Sequence, residues 1–256
     1  HILSQPTMAL LKLAAAAAVG AAAYVAVLKL KKIISAPKSI TLTYFNIEGV
    51  AEKVRLALLL SGTKFEDKRI TFGEWPELKK TIKSGQLPLL TIDGMEVSQS
   101  AAMLRWAGSL GDGSLYPADP MQRLKVDEMV GVQEDLQRAW TPSLYMGMGR
   151  HQAFGHPENF EGKDAIVKAL RENFIKDTLP RFMKYIADAI TASGGPYLCG
   201  STVTIADLAM LPQVRYFGKG VADHVPKDTL DPYPEVKAWI EKIMTIPAVK
   251  EYYASL

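Results

Sequence analysis

The hydrophobic period of this chain changes along its length, and that change restricts the folds open to it. Between residues 40 and 115, short stretches of two-residue alternation trade places with stretches of helical spacing. From residue 123 onward the helical spacing continues without a convincing strand. Alternation puts successive side chains on opposite faces of a strand, whereas a period near 3.6 gathers them on one face of a helix. The chain therefore reads as an α/β unit followed by an all-helical unit.

Ile40, Leu42 and Tyr44 alternate with Thr41, Thr43 and Phe45, which predicts a strand. Asn46 to Gly49 reads as a turn, and Val54, Ala57, Leu58 and Leu60 follow at helical spacing until Ser61-Gly62 stops the helix. KFEDKRITF is a second short strand, and Glu74 to Ser84 turns helical after Pro76. Asp93-Gly94 stands between Leu89–Ile92 and Met95–Val97, a strong hairpin signal. A helix then begins near Ser100. The order predicts a compact α/β unit with a mixed sheet. Beyond it, helices are expected over Arg123–Tyr145, Gly162–Ser193, Thr204–Tyr216 and Glu235–Ile243. Thr204 and Asp207 have capping-box spacing, a structural device that starts the third of these helices.

With 256 residues, the chain is long enough for one or two domains. A net charge of +3, no zinc-finger spacing and no basic run interleaved with aromatics argue against nucleic acid. The single cysteine, Cys199, excludes an intramolecular disulfide and fits a reducing compartment. It reads as a packed structural residue. His151 and His156 lie in YMGMGRHQAFGHP without an evident third ligand, so no metal is expected. The N-terminus carries a separate signal. Leu13–Leu28 is apolar and bounded by Lys12 and Lys29; with Leu10, Leu11 and Leu30 it approaches the about 20 residues of a spanning helix. Lys29, Lys31, Lys32 and Lys38 cluster behind it, which orients the remaining chain to the cytosolic, stromal or matrix side. Residues 10–30 are thus expected to hold the protein to a membrane. A retained targeting segment and a packed helix are the alternatives.

The stretches LTYFN, EWPELKK, GQLPLLTIDGMEVSQSAAMLRW, VDEMV and STVTIAD, in this order and spacing, resemble the glutathione transferases, most of all the sigma class that includes prostaglandin D synthases. The resemblance covers about residues 40–256. It implies a thioredoxin-like N-terminal domain (40–115) and an all-helical C-terminal domain (116–256), here preceded by an anchor and linker (1–39) read as a single transmembrane helix. It also implies glutathione as co-substrate.

The resemblance assigns the site residues. Tyr44 is the hydroxyl that faces the glutathione sulfur; a free thiol titrates near 8.5, and a donor aimed at the sulfur favours the reactive anion. Gln99 and Ser100 hold the γ-glutamyl carboxylate at a helix N-terminus, a setting that suits anions. Leu87 pairs its backbone with the cysteinyl part, ahead of a cis Pro88. Trp75 and Lys79 meet the glycyl end, with Gln86 beside them. Asp135 of a partner subunit meets the α-amino group, with Glu134 beside it and Asp127 nearby. The electrophile pocket is expected between the loop after Tyr44 and the helix around Trp140–Arg150.

Two departures stand out. Val50 replaces an arginine that supports the thiolate in sigma-class relatives, and Glu48 adds a negative charge nearby, so weaker activation is expected. Gly131 replaces an aspartate tied to a divalent metal. The expected activity is attack of the glutathione thiolate on apolar electrophiles or peroxides. A non-catalytic subunit of a membrane complex and a glutathione-dependent isomerase of lipid peroxides stay open, as do a homodimer and a larger assembly.

Overall fold

The computed structural model describes residues 37–256. The expected membrane segment, residues 10–30, lies outside them.

The first half follows the predicted order: β1 (Ile40–Phe45), α1 (Glu52–Leu60), β2 (Glu66–Ile70), α2 (Trp75–Thr81), β3 (Leu89–Ile92), β4 (Met95–Val97) and α3 (Ser100–Gly108). One mixed sheet results, in the order β2-β1-β3-β4, with β1 and β2 parallel and the other pairs antiparallel. This is the thioredoxin-like arrangement. The hairpin closes at Asp93 and Gly94, whose φ angles of 48° and 84° suit a two-residue turn with both residues left-handed. The Asp93 carboxylate also accepts the backbone N–H groups of Lys38 and Ser39 at 2.9 and 2.8 Å, which ties the entry of β1 to the hairpin.

The second half is helical: α4 (Pro120–Gly147), α5 (Lys163–Asn173), α6 (Leu179–Ser193), α7 (Ile205–Phe217), α8 (Pro234–Met244) and α9 (Pro247–Ala254). Asp119 starts α4 by accepting from the N–H groups of Met121 and Gln122, with Pro120 at the first turn, where a missing N–H costs nothing. The single helix expected over Gly162–Ser193 is two helices joined through a π-helical turn, Phe174–Thr178. The last helix, α9, was not foreseen; at eight residues its periodicity is too short to read.

Helix α7 is the hub. Ile205, Ala206, Leu208, Ala209, Met210, Leu211, Val214 and Phe217 are all buried, so it is apolar around most of its circumference, as a central helix must be. Both halves of the Thr204–Asp207 capping box are in place. The domains join through α1 against α7, the Leu115 carbonyl accepting from the Ile205 N–H, and Asp127, which accepts from Arg105 at 2.8 Å and from the Tyr116 hydroxyl at 2.9 Å. Asp127 is therefore held as an interdomain clasp.

Candidate active site

The strand directions gather the predicted site. β1 and β2 run parallel and finish at the same edge of the sheet, where antiparallel β3 begins and β4 ends. Tyr44 is the penultimate residue of β1. Trp75 opens α2 and Lys79 lies one turn further, after β2 has ended at this edge. Thr43 pairs with Leu89, so Leu87 and Pro88 stand at the level of Tyr44. Gln99 and Ser100 open α3 directly after β4. An aromatic chain links two of these: Phe45 meets Tyr44 edge-on at 5.4 Å and Trp75 edge-on at 5.9 Å.

Local backbone geometry marks the same edge. The Leu87-Pro88 bond is cis. Gln99 has φ of 79°, a left-handed conformation that a non-glycine residue adopts at a cost and that is concentrated at functional sites. Its side chain does not cap α3. Gly49 has φ of 47°, and a Cβ there would come 2.6 Å from the Tyr44 hydroxyl oxygen, so no side chain fits beside it.

Tyr44 is buried, and burial raises its phenol above the ordinary value. The Val50 backbone N–H and the Arg55 guanidinium pull it back, with smaller opposing effects from Tyr145 and Arg150. The balance keeps the hydroxyl protonated at neutral pH, as a hydrogen-bond donor rather than a base.

The profile described as "Glutathione S-transferase, N-terminal domain" matches residues 40–108, and "Glutathione S-transferase, C-terminal domain" matches residues 156–256. Glutathione S-transferase 1 of Ascaris suum is 30% identical over 83% of this chain and 94% of its own length. The chain belongs to the glutathione S-transferase family. Among solved structures, a prostaglandin synthase D of Nilaparvata lugens superposes with a TM-score of 0.70 at 26% identity, covering 84% of this chain and 97% of that one. A monomeric glutathione S-transferase of Necator americanus does so with a TM-score of 0.66 at 28% identity, covering 85% and 97%. The protein is thus a glutathione transferase enzyme, with glutathione its co-substrate.

This transferase corrects several expectations. The membrane-associated location, with the folded part on the reducing side, is overturned. Among the described residues no helix is long and apolar enough to cross a membrane. The relatives, matched over 94–97% of their length, are glutathione transferases and a prostaglandin synthase. Neither a membrane nor a membrane complex is supported as a partner by these relatives. Trp140, which begins the stretch expected to border the pocket, is 2% exposed and packs among Phe174, Tyr216 and Phe217 in the helical core. The charge of Glu48, expected to oppose the thiolate, is met by Arg215 of α7 and by Lys219.

Gln86 and Lys79 are exposed, and among the described residues no ion pair engages Lys79. Asp135 is exposed on α4 and paired with Arg138 at 2.7 Å. Among the described residues no group of three or more His, Cys, Asp or Glu could hold a metal ion. His151 lies 3.0 Å from the Glu158 carbonyl, and His156 stacks on Phe160 at 4.1 Å. Burial pushes the half-buried Cys199 thiol up to about 12, which leaves it a poor nucleophile.

Two buried cations of α1 escaped the sequence reading. Arg55 has no exposed side-chain surface; it donates to Asp67 at 2.9 Å, to Glu52 at 3.0 Å and to the carbonyls of Ile47 and Glu48 at 2.8 and 3.2 Å. It therefore grips the turn that follows Tyr44, with its guanidinium 5.8 Å from the Tyr44 ring centre. The available signal was position: Ala51, Arg55 and Leu58 share one helix face, and a charge inside an apolar stripe is anomalous.

Lys53 is 4% exposed and donates to Gln133 of α4 at 3.2 Å. Burial lowers its pKa from 10.5 to about 8, with Glu134 opposing and Arg105 reinforcing the shift. Between those values the unfolded chain binds more protons than the folded one, so stability rises with pH across the window and the full cost is present below it. Lys53→Met is expected to stabilise the fold at pH 7 by about 1–3 kcal/mol and to flatten that rise. Urea denaturation of both proteins at neutral and alkaline pH measures this; a less stable variant at pH 7 would refute it.

Proposed function

We propose that residues 40–115 seat glutathione along the edge where the strands end, and that residues 116–256 wall the electrophile site. Tyr44 donates to the sulfur and stabilises the thiolate; the released proton passes to solvent. Lys79 and Trp75 take the glycyl end, with Gln86 beside them. The backbone of Leu87, ahead of Pro88, pairs with the cysteinyl unit. Gln99 and Ser100 receive the γ-glutamyl carboxylate at the N-terminus of α3. In a homodimer, Asp135 of the second copy meets the α-amino group.

The observation that carries this reading is the state of Tyr44: a buried, neutral hydroxyl at the one edge where β1, β3 and α3 converge. Fixing the tripeptide at both ends orients the sulfur, which is where binding energy becomes rate. The thiolate then attacks an apolar electrophile in conjugation, or the peroxide oxygen in reduction. Tyr145 and Arg150, both within electrostatic reach of Tyr44, border the entry. Met148, 49% exposed, adds adaptable apolar surface in the same stretch. The motifs LTYFN, EWPELKK and GQLPLLTIDGMEVSQSAAMLRW, which resemble the sigma class, support these assignments.

Calorimetric titration of glutathione tests the seat directly. A saturable heat with micromolar to millimolar affinity, weakened in Ser100→Ala, is the expected result. No heat up to about 20 mM glutathione would overturn the reading, since that corresponds to less than about 3 kcal/mol of binding.

A further inference from the structure

The C-terminal helix α9 reaches back onto β2 and α1, the elements that flank the turn after Tyr44. The Tyr252 hydroxyl accepts from Arg69 Nη2 at 3.0 Å and donates to Glu52 Oε2 at 3.1 Å. The same Glu52 oxygen accepts from Arg55 Nη1 at 3.0 Å. Asp67 completes a closed ring: one oxygen accepts from Arg55 Nε at 2.9 Å and the other from Arg69 Nε at 2.8 Å. Two arginines, two carboxylates and one neutral phenol thus close on one another, while the second Glu52 oxygen, Oε1, is buried without a hydrogen-bond partner. Burial, reinforced by the Glu52 carboxylate, raises the Tyr252 phenol, so it stays protonated and can keep both bonds.

The ring ends on the active-site backbone. Arg55 also holds the carbonyls of Phe45, Ile47 and Glu48. From the other side, Arg215 and Lys219 hold the Glu48 side chain. The turn that sets the Val50 N–H against the Tyr44 hydroxyl is therefore fixed from below by the ring and from the flank by the helical domain.

We propose that Tyr252 is a positioning residue for thiolate activation: its hydroxyl locks the ring that fixes the 45–50 turn and, through it, the Tyr44 hydroxyl. The proposal rests on the reading of Tyr44 as the sulfur's donor. Without the Tyr252 hydroxyl, Glu52 loses a donor and Arg69 an acceptor. Arg55 then has a less constrained partner, and the turn gains freedom. Misplacement of a reacting group by about 1 Å can cost up to a hundredfold in rate.

The test is a cycle of Tyr252→Phe, Tyr44→Phe and the double variant, assayed with glutathione and an aryl halide across pH. Tyr252→Phe removes one oxygen from an exposed-edge helix and leaves the packing volume intact. It is expected to lower kcat about five- to tenfold, with little change in KM for glutathione, and to move the kcat/KM profile toward higher pH. In the double variant no further loss beyond Tyr44→Phe is expected, because both changes act on one step. A variant with a lowered melting temperature but an unmoved kcat and pH profile would overturn the proposal, as would losses that multiply in the double variant. If Tyr44→Phe alone keeps full activity, the Tyr44 reading falls and this proposal with it; if it loses activity while Tyr252→Phe does not, only the positioning role fails.

Discussion

Tyr44→Phe is expected to lower kcat/KM toward an aryl halide about a hundredfold while changing glutathione affinity by less than about threefold, the pattern for losing one donor to a developing anion. The phenylalanine keeps the ring and its edge contact with Phe45 at 5.4 Å, so packing is conserved and only the hydroxyl is removed. The geometry explains why the loss appears in rate. Gly49 leaves the hydroxyl room that a Cβ at 2.6 Å would fill, and burial holds the phenol neutral. A neutral donor stabilises thiolate more than thiol. The apparent pKa of the bound sulfur should therefore rise by about two units in the variant, matching the hundredfold loss. Thiolate absorbance of the bound tripeptide, followed against pH, measures this independently of turnover. An unmoved titration would make Tyr44 a packing residue.

The largest stability effect is expected at Asp207. Its carboxylate, fully buried, accepts from the Leu198 N–H, the Thr204 N–H and the Trp239 indole N–H, each at 2.9 Å, and from the Thr204 hydroxyl at 3.1 Å. One side chain thus starts α7, fixes the corner before it and anchors α8. Asp207→Ala would strand these donors away from water, at an expected cost of about 3–5 kcal/mol. Since α7 packs against both α1 and α4, the loss should reach the whole fold and appear as one shifted transition in urea. A shift below about 1 kcal/mol would show that the corner reorganises around water.

What the sequence disclosed was local, and what it concealed was long-range. The Asp93-Gly94 turn and the Thr204–Asp207 box are short-range chemistry, and both stand where the residues indicated. The ring around Arg55 could not be read, because Tyr252 lies 183 residues from Arg69 and 200 from Glu52. Charges in a helical pattern are naturally assigned to solvent, which hid Lys53 and Arg55. The burial of Trp140 was equally hidden: its three aromatic neighbours come from α7 and the turn at Phe174–Thr178, far along the chain. The likeness to a known family supplied the residues at the sheet edge, and strand register explains why they meet.

The sheet order leaves β2 and β4 as its outer strands. Exposed Glu66 and Lys68 alternate along β2, and β4 is only three residues long. Charged or very short margins are poor templates for another chain's backbone. A sheet built this way resists growing by added strands, so crowded copies of the protein are guarded against fibril-like stacking through their sheet edges.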